Sequence, residues 1–286
     1  MISPALRIAH FTLPDGYRAA ARIWDVAQPA ARVVFVHGIT SHGGWYLNSC
    51  RHLACAGFEV HFLDRRGSGL NAAARGDVDN CDTWLTDLAS YLEGLPADVP
   101  RLLMGISWGG KLVAAFAQQR PDLIAGLGML CPGLFARQMP GAAQRWSLAL
   151  AGVLGLGNCR VTIPLRRPEL FTEVSERQAY IKNDPLALRQ VTVRFALADA
   201  RLTQLARHSP EEITVPALLM LAGRDRIVAN GQVLEYFERI RSRHKQVCQY
   251  PDAGHTLEFE RDTSQYFADL CRWAREAAAI VAPERA

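Results

Sequence analysis

The sequence predicts an α/β protein built on a mostly parallel sheet, and three observations lead there. Apolar runs of strand length recur along the chain, among them Arg32-Val33-Val34-Phe35-Val36 and Ala217-Leu218-Leu219-Met220-Leu221-Ala222. Between most of these runs lie stretches with helical patterning, and continuous apolar strands alternating with helices suit a parallel sheet covered on both faces. The third observation is the pentapeptide Gly105-Ile106-Ser107-Trp108-Gly109, set between a strand-like run and a helix-like one.

The elements follow in order. Leu6 to Phe11 and Tyr17 to Trp24, joined at Pro14-Asp15-Gly16, read as a hairpin. The run 32–36 ends at His37-Gly38; a helix follows at about 45–56, then a strand from Phe58 to Leu63 ending at Asp64. Thr83 to Glu93 reads as helix, Leu102 to Met104 as strand, Lys111 to Ala117 as helix and Ile124 to Leu130 as strand. The alternation resumes with strand 217–222, helix 233–240, strand 246–250 and a closing helix from Ser264 to Val281. Between about Pro132 and Pro210 it stops: helical patterns and prolines occur without a convincing strand. The expected organisation is a core of residues 1–132 and 211–286 with a helical cap, 133–210, over the edge where ligands bind in open α/β sheets.

Composition narrows the function classes. The 286 residues are 49% hydrophobic and 21% charged, with net charge +4, an ordinary balance for one globular domain. No block of like charge or aromatic-interleaved basic stripe supports a nucleic-acid partner. Seven scattered cysteines with no Cys-x-x-Cys pair argue against a zinc site or disulfide framework. Residues 1–7 show no charged-then-apolar leader pattern, and a cytoplasmic location is expected. The longest apolar stretch, Trp146 to Gly157, is shorter than the roughly 20 residues that span a bilayer.

The pentapeptide reads as a nucleophile elbow, a turn so tight that only small residues fit two before and two after the serine. A serine hydroxyl needs a base to take its proton, and the base needs an acid to hold its tautomer. Asp225, in Gly223-Arg224-Asp225, follows one late strand, and His255, in Gly254-His255, follows the last. Asp252 is a rival acid; the loop after Leu130, another place for an acid, holds Cys131 and no carboxylate. Backbone amides of Ile39, in His37-Gly38-Ile39, and of Trp108 are the expected oxyanion donors, with His37 a structural anchor. Asp64-Arg65-Arg66-Gly67-Ser68-Gly69 reads as a structural loop beside the pocket.

These segments together resemble the α/β-hydrolase superfamily, and within it the monoacylglycerol lipase and lysophospholipase group, often labelled serine aminopeptidase-like. Asn183-Asp184-Pro185-Leu186 is similar to a segment in the cap of that group. The chain departs from the group's pattern at the residues after His37-Gly38 and at Ile106 and Trp108 flanking the serine; a bulky Trp108 is expected to narrow the pocket. The resemblance implies a serine hydrolase cleaving carboxylic esters of a lipid-like substrate, with no metal or organic cofactor. Thioester cleavage or acyl transfer by the same residues, and non-catalytic ligand binding, are the rival readings. For the apolar stretch 146–157, flanked by Arg145, Arg160, Arg166 and Arg167, two roles are open: a helix packed on the pocket, or a contact with a membrane surface.

Overall fold

The computed structural model describes residues 4–137 and 141–281, without the side chains of 142–145 and 281. Residues 1–3 of the leader reading and the side chain of Arg145 lie outside the described residues. The hairpin forms as expected: β1 (Leu6–Thr12) pairs antiparallel with β2 (Arg18–Trp24). Gly16 takes φ +82° at its turn, a value glycine adopts without a Cβ penalty.

Along the chain come β3 (Arg32–Val36), α1 (Leu47–Cys55), β4 (Glu59–Asp64), α2 (Cys81–Glu93), β5 (Arg101–Ile106), α3 (Trp108–Gln119) and β6 (Gly126–Leu130). All five residues of β3 are buried, the reason Val33 to Val36 run continuously apolar and do not alternate. Asn80 caps α2 by accepting the Thr83 amide, which satisfies one otherwise unpaired donor of its first turn.

After β6 the chain leaves the sheet for α4 (Ala142–Val153), β7 (Arg160–Thr162), α5 (Ser175–Asn183), β8 (Gln190–Thr192) and α6 (Val193–His208). It returns with β9 (Ala217–Ala222), α7 (Asn230–Glu238), β10 (Lys245–Tyr250) and α8 (Ser264–Val281). One sequence expectation is corrected here: β7 and β8 form a two-stranded antiparallel ribbon in the segment read as strand-free. Three-residue strands are too short to show a period of two, so their pairing is a tertiary event.

The main sheet has the order β1-β2-β4-β3-β5-β6-β9-β10. From β4 to β10 every pairing is parallel, and the hairpin adds two antiparallel strands at one edge. Parallel strands end together, so the loops after Val36, Asp64, Ile106, Leu130, Ala222 and Tyr250 share one edge of the sheet. That edge is where the sequence placed its chemistry.

Candidate active site

Ser107 lies between β5 and α3 with φ +53°, in the region that side chains with a Cβ disfavour. The elbow holds it there. A Cβ at Gly105 would lie 2.3 Å from the Gly109 carbonyl oxygen, and one at Gly109 would lie 2.2 Å from that of Val36. The flanking glycines are therefore a packing requirement. The Ser107 amide donates to Leu130 O at 2.9 Å, and Ser107 O accepts from Gly110 and from Gly133 at 2.6 Å. The loop after β6 thus clamps the strained residue.

His255 and Asp225 converge on the serine. His255 Nε2 lies 2.9 Å from Ser107 Oγ, and His255 Nδ1 lies 2.7 Å from Asp225 Oδ2. All three are buried, with Ser107 8%, Asp225 2% and His255 3% exposed. The second Asp225 oxygen accepts the amides of Ile227 and Val228, both at 2.8 Å. Burial pushes the Asp225 carboxyl up, but the facing His255 and these hydrogen bonds outweigh it and hold it below the usual carboxylate range. An ionised Asp225 keeps the proton of His255 on Nδ1 and leaves Nε2 to accept from the serine hydroxyl. The rival Asp252 sits at the surface, paired with Arg224 at 2.6 Å.

The loop after β3 closes against the serine: a Cβ on Gly38 would lie 3.3 Å from Ser107 Cβ. His37 is buried. Its Nε2 accepts the Arg65 amide at 3.1 Å, so its proton sits on Nδ1 and is donated to Gly38 O at 2.7 Å. Burial, with the nearby Arg65 charge, pushes the imidazole down to about 3, so it stays neutral. Neither the Ile39 nor the Trp108 amide donates to an acceptor among the described residues. The Trp108 amide opens α3 directly after the serine, and the Ile39 amide follows Gly38, which packs against Ser107.

Cys131, with φ +42°, stands where the sequence offered no acid, and its Sγ lies within 4.8 Å of ligand atoms of Asp225 and His255. Burial pushes its thiol well up, and both His255 nitrogens are already engaged. A protonated thiol and an occupied imidazole make a poor metal site.

Trp108 corrects an expectation. Its indole does not project into the pocket; it is buried, 4.8 Å from the Trp84 ring, and donates from Nε1 to Asp199 of α6 at 2.5 Å. Asp199 also pairs with Lys111 of α3, so the elbow helix is pinned to α6. A tryptophan after the serine is therefore a strut between α3 and α6.

Three further contacts were missed from the sequence. Asp184 accepts from Trp45 Nε1 at 2.6 Å and lies 2.9 Å from His42 Nε2, tying the segment before Pro185 to the loop after β3. Burial raises the Asp184 carboxyl, but those two hydrogen bonds bring it down to about 2. Glu258 accepts the Asn48 and Ser49 amides at 2.7 and 3.0 Å, joining the His255 loop to the start of α1. Asp64, which accepts from Arg22, Gly43 and Leu70, organises the 64–71 loop as a structural turn. The Asp-Pro-Leu run signalled the first contact without naming its partners, the glycines after Asp64 signalled a structural loop without its hydrogen bonds, and the Glu258 contact carried no local signal.

A cavity of about 140 Å³ lies beside the loop after β3, with Thr40, Ile163, Phe171, Leu188, Arg166 and Arg189 in its wall. The Phe171 ring is also an edge-on neighbour of His255, at 6.0 Å.

The chain is similar to known proteins over nearly its whole length. It is 25% identical over 284 residues to human monoglyceride lipase, covering 96% of this chain and 93% of that one. It is 24% identical over 253 residues to the phospholipase YtpA of Bacillus subtilis, covering 85% and 95%. Its fold superposes with a TM-score of 0.81 on a soluble variant of the Saccharomyces cerevisiae monoglyceride lipase in complex with a substrate analogue, at 19% identity and 97% coverage of both. The family model described as serine aminopeptidase, S33 matches residues 27–262. With that match spanning most of its length, the chain belongs to the serine aminopeptidase S33 family and has the α/β-hydrolase fold.

Proposed function

We propose that this protein hydrolyses carboxylic esters of a lipid-like substrate, such as a monoacylglycerol or lysophospholipid, through an acyl-enzyme. The observation that carries the proposal is the buried relay Asp225–His255–Ser107, with contacts of 2.7 and 2.9 Å, on a serine held at φ +53°. Ser107 Oγ attacks the ester carbonyl while His255 Nε2 takes its proton, and Asp225 stabilises the imidazolium that forms. The Ile39 and Trp108 amides receive the oxyanion of the tetrahedral intermediate. His255 then protonates the leaving alcohol. Water, activated by the same imidazole, releases the fatty acid.

The Ile163, Phe171 and Leu188 side of the cavity suits an acyl chain, Arg166 and Arg189 give the same wall a polar part, and the lipase and phospholipase relatives support a lipid ester. Residues 133–210 act as the cap over this site. On α4 and the turn after it, Trp146, Leu150, Val153, Leu154 and Leu156 are exposed, with Trp146 76% and Val153 86% accessible. That stripe supports transient contact of the cap with a lipid surface over a helix buried on the pocket. Among the described residues no helix is long and apolar enough to cross a membrane. The seven unpaired cysteines fit a reducing compartment, the cytoplasm.

The test is an acyl-length series of nitrophenyl esters and monoglycerides with wild type, Ser107→Ala and Asp225→Asn. Wild type is expected to prefer medium or longer chains. Ser107→Ala should lose turnover, and Asp225→Asn should retain about 10⁻⁴ of kcat. Unchanged hydrolysis by Ser107→Ala would refute the assignment.

A further inference from the structure

Arg65 is a buried guanidinium without a carboxylate bonded to it. It is 6% exposed, and its Nε and Nη1 have no hydrogen-bond partner among the described residues. Burial pulls its guanidinium down to about 9, against the opposing pull of Asp199 and Asp64, so it remains charged at neutral pH. Its neighbour Arg66 behaves quite differently. Arg66 pairs with Asp15 and Asp87 at 2.7 Å and stacks on Tyr17, a conventional set of ion-pair contacts. A buried, half-satisfied cation is costly, so what it touches is informative.

Arg65 touches both oxyanion residues. Its Nη2 donates to the Ile39 carbonyl at 2.5 Å, and its guanidinium carbon lies 4.7 Å from the centre of a Trp108 ring, with Phe195 at 5.3 Å. Its own amide donates to His37, the histidine that holds the Gly38 carbonyl. Three contacts from one residue therefore fix the two segments whose amides flank Ser107.

Resting on the ester-hydrolase reading, we propose that Arg65 is a positioning residue that sets the relative placement of the Ile39 and Trp108 amides. Its charge also adds a positive field near the oxyanion. Because such donors act most strongly in the transition state, losing the brace should lower kcat and leave KM nearly unchanged.

The experiment compares wild type, Ser107→Ala, Arg65→Met and Arg65→Lys on a short water-soluble nitrophenyl ester, with circular dichroism confirming the fold of each. Arg65→Met keeps the length and removes both charge and donor. It should lose about tenfold or more in kcat with KM within about twofold. Arg65→Lys keeps the charge without the planar fork and should recover part of that loss. If Arg65→Met does not fold, Arg65→Lys decides: a kcat loss of about threefold or more at constant KM supports the brace. Folded Arg65 variants with wild-type kcat overturn it, as does a loss confined to KM. Turnover by wild type and none by Ser107→Ala leaves the ester-hydrolase reading standing whichever way Arg65 falls. A wild type without esterase activity overturns both.

Discussion

His37 donates from Nδ1 to the carbonyl of Gly38 at 2.7 Å, and that carbonyl shares a peptide unit with the Ile39 amide. In a trans peptide the N–H points away from the C=O, so a ring that holds the carbonyl also aims the donor. On the proposed mechanism, the histidine before the glycine would act at one remove from the chemistry by aiming the Ile39 amide.

His37→Ala should lower kcat on a soluble ester by about 10–100-fold with little change in KM, since it releases the Ile39 donor. Steady-state kinetics on folded protein checks this. The replacement also removes an acid liability. His37 folds neutral near 3 and unfolds near 6.5, so the unfolded chain binds the extra proton and stability falls as pH drops through that window. Thermal melts between pH 7 and 4 should fall less steeply for His37→Ala than for wild type.

Glu258 has the opposite sign. Burial pushes its carboxyl up to about 7, against the hydrogen bonds from Ser49 and Asn48. Between roughly 4.5 and 7 the folded state holds the proton and the unfolded chain does not, so this group removes stability as pH rises. The full shift amounts to roughly 3 kcal/mol. Glu258→Gln should flatten the melting temperature between pH 5 and 8, a comparison that differential scanning calorimetry makes directly. An equal slope in the variant would contradict it.

The exposed stripe on α4 gives a test that separates substrate presentation from chemistry. Trp146→Ser with Val153→Ser should leave kcat on a soluble short ester within about twofold, because neither side chain touches the Ser107 site. Turnover of a long-chain monoglyceride in anionic vesicles should fall about tenfold or more, as the lost apolar area weakens surface binding. Vesicle co-sedimentation measures the binding arm.

Much of the site was legible because its signals are local. Gly105 and Gly109 mark a turn that no larger residue can make, Asp225 follows the apolar run of β9 by a few residues, and His255 follows the last strand after a Gly. Trp108 was legible in position and not in direction. Nothing in the pentapeptide says that the indole turns toward Trp84 and Asp199, the latter 91 residues on, and not toward the substrate. The two adjacent arginines show the same limit. Identical in type, Arg65 and Arg66 part company because β4 ends between the oxyanion loop on one side and Asp15 and Asp87 on the other. The ribbon of β7 and β8 escaped notice because its strands have no length in which to show a pattern.

The sequence by itself determined the order of strands and helices outside residues 133–210, the elbow and the three side chains at strand ends, since apolar periodicity and turn sterics depend on neighbours in the chain. Tertiary structure alone decided that His255 reaches Ser107 across 148 residues, that Arg65 reaches both the Ile39 carbonyl and the Trp108 ring and that the apolar face of α4 looks outward. Those outcomes depend on strand register and on which faces pack together, and a parallel sheet sets both through contacts between residues far apart in the chain.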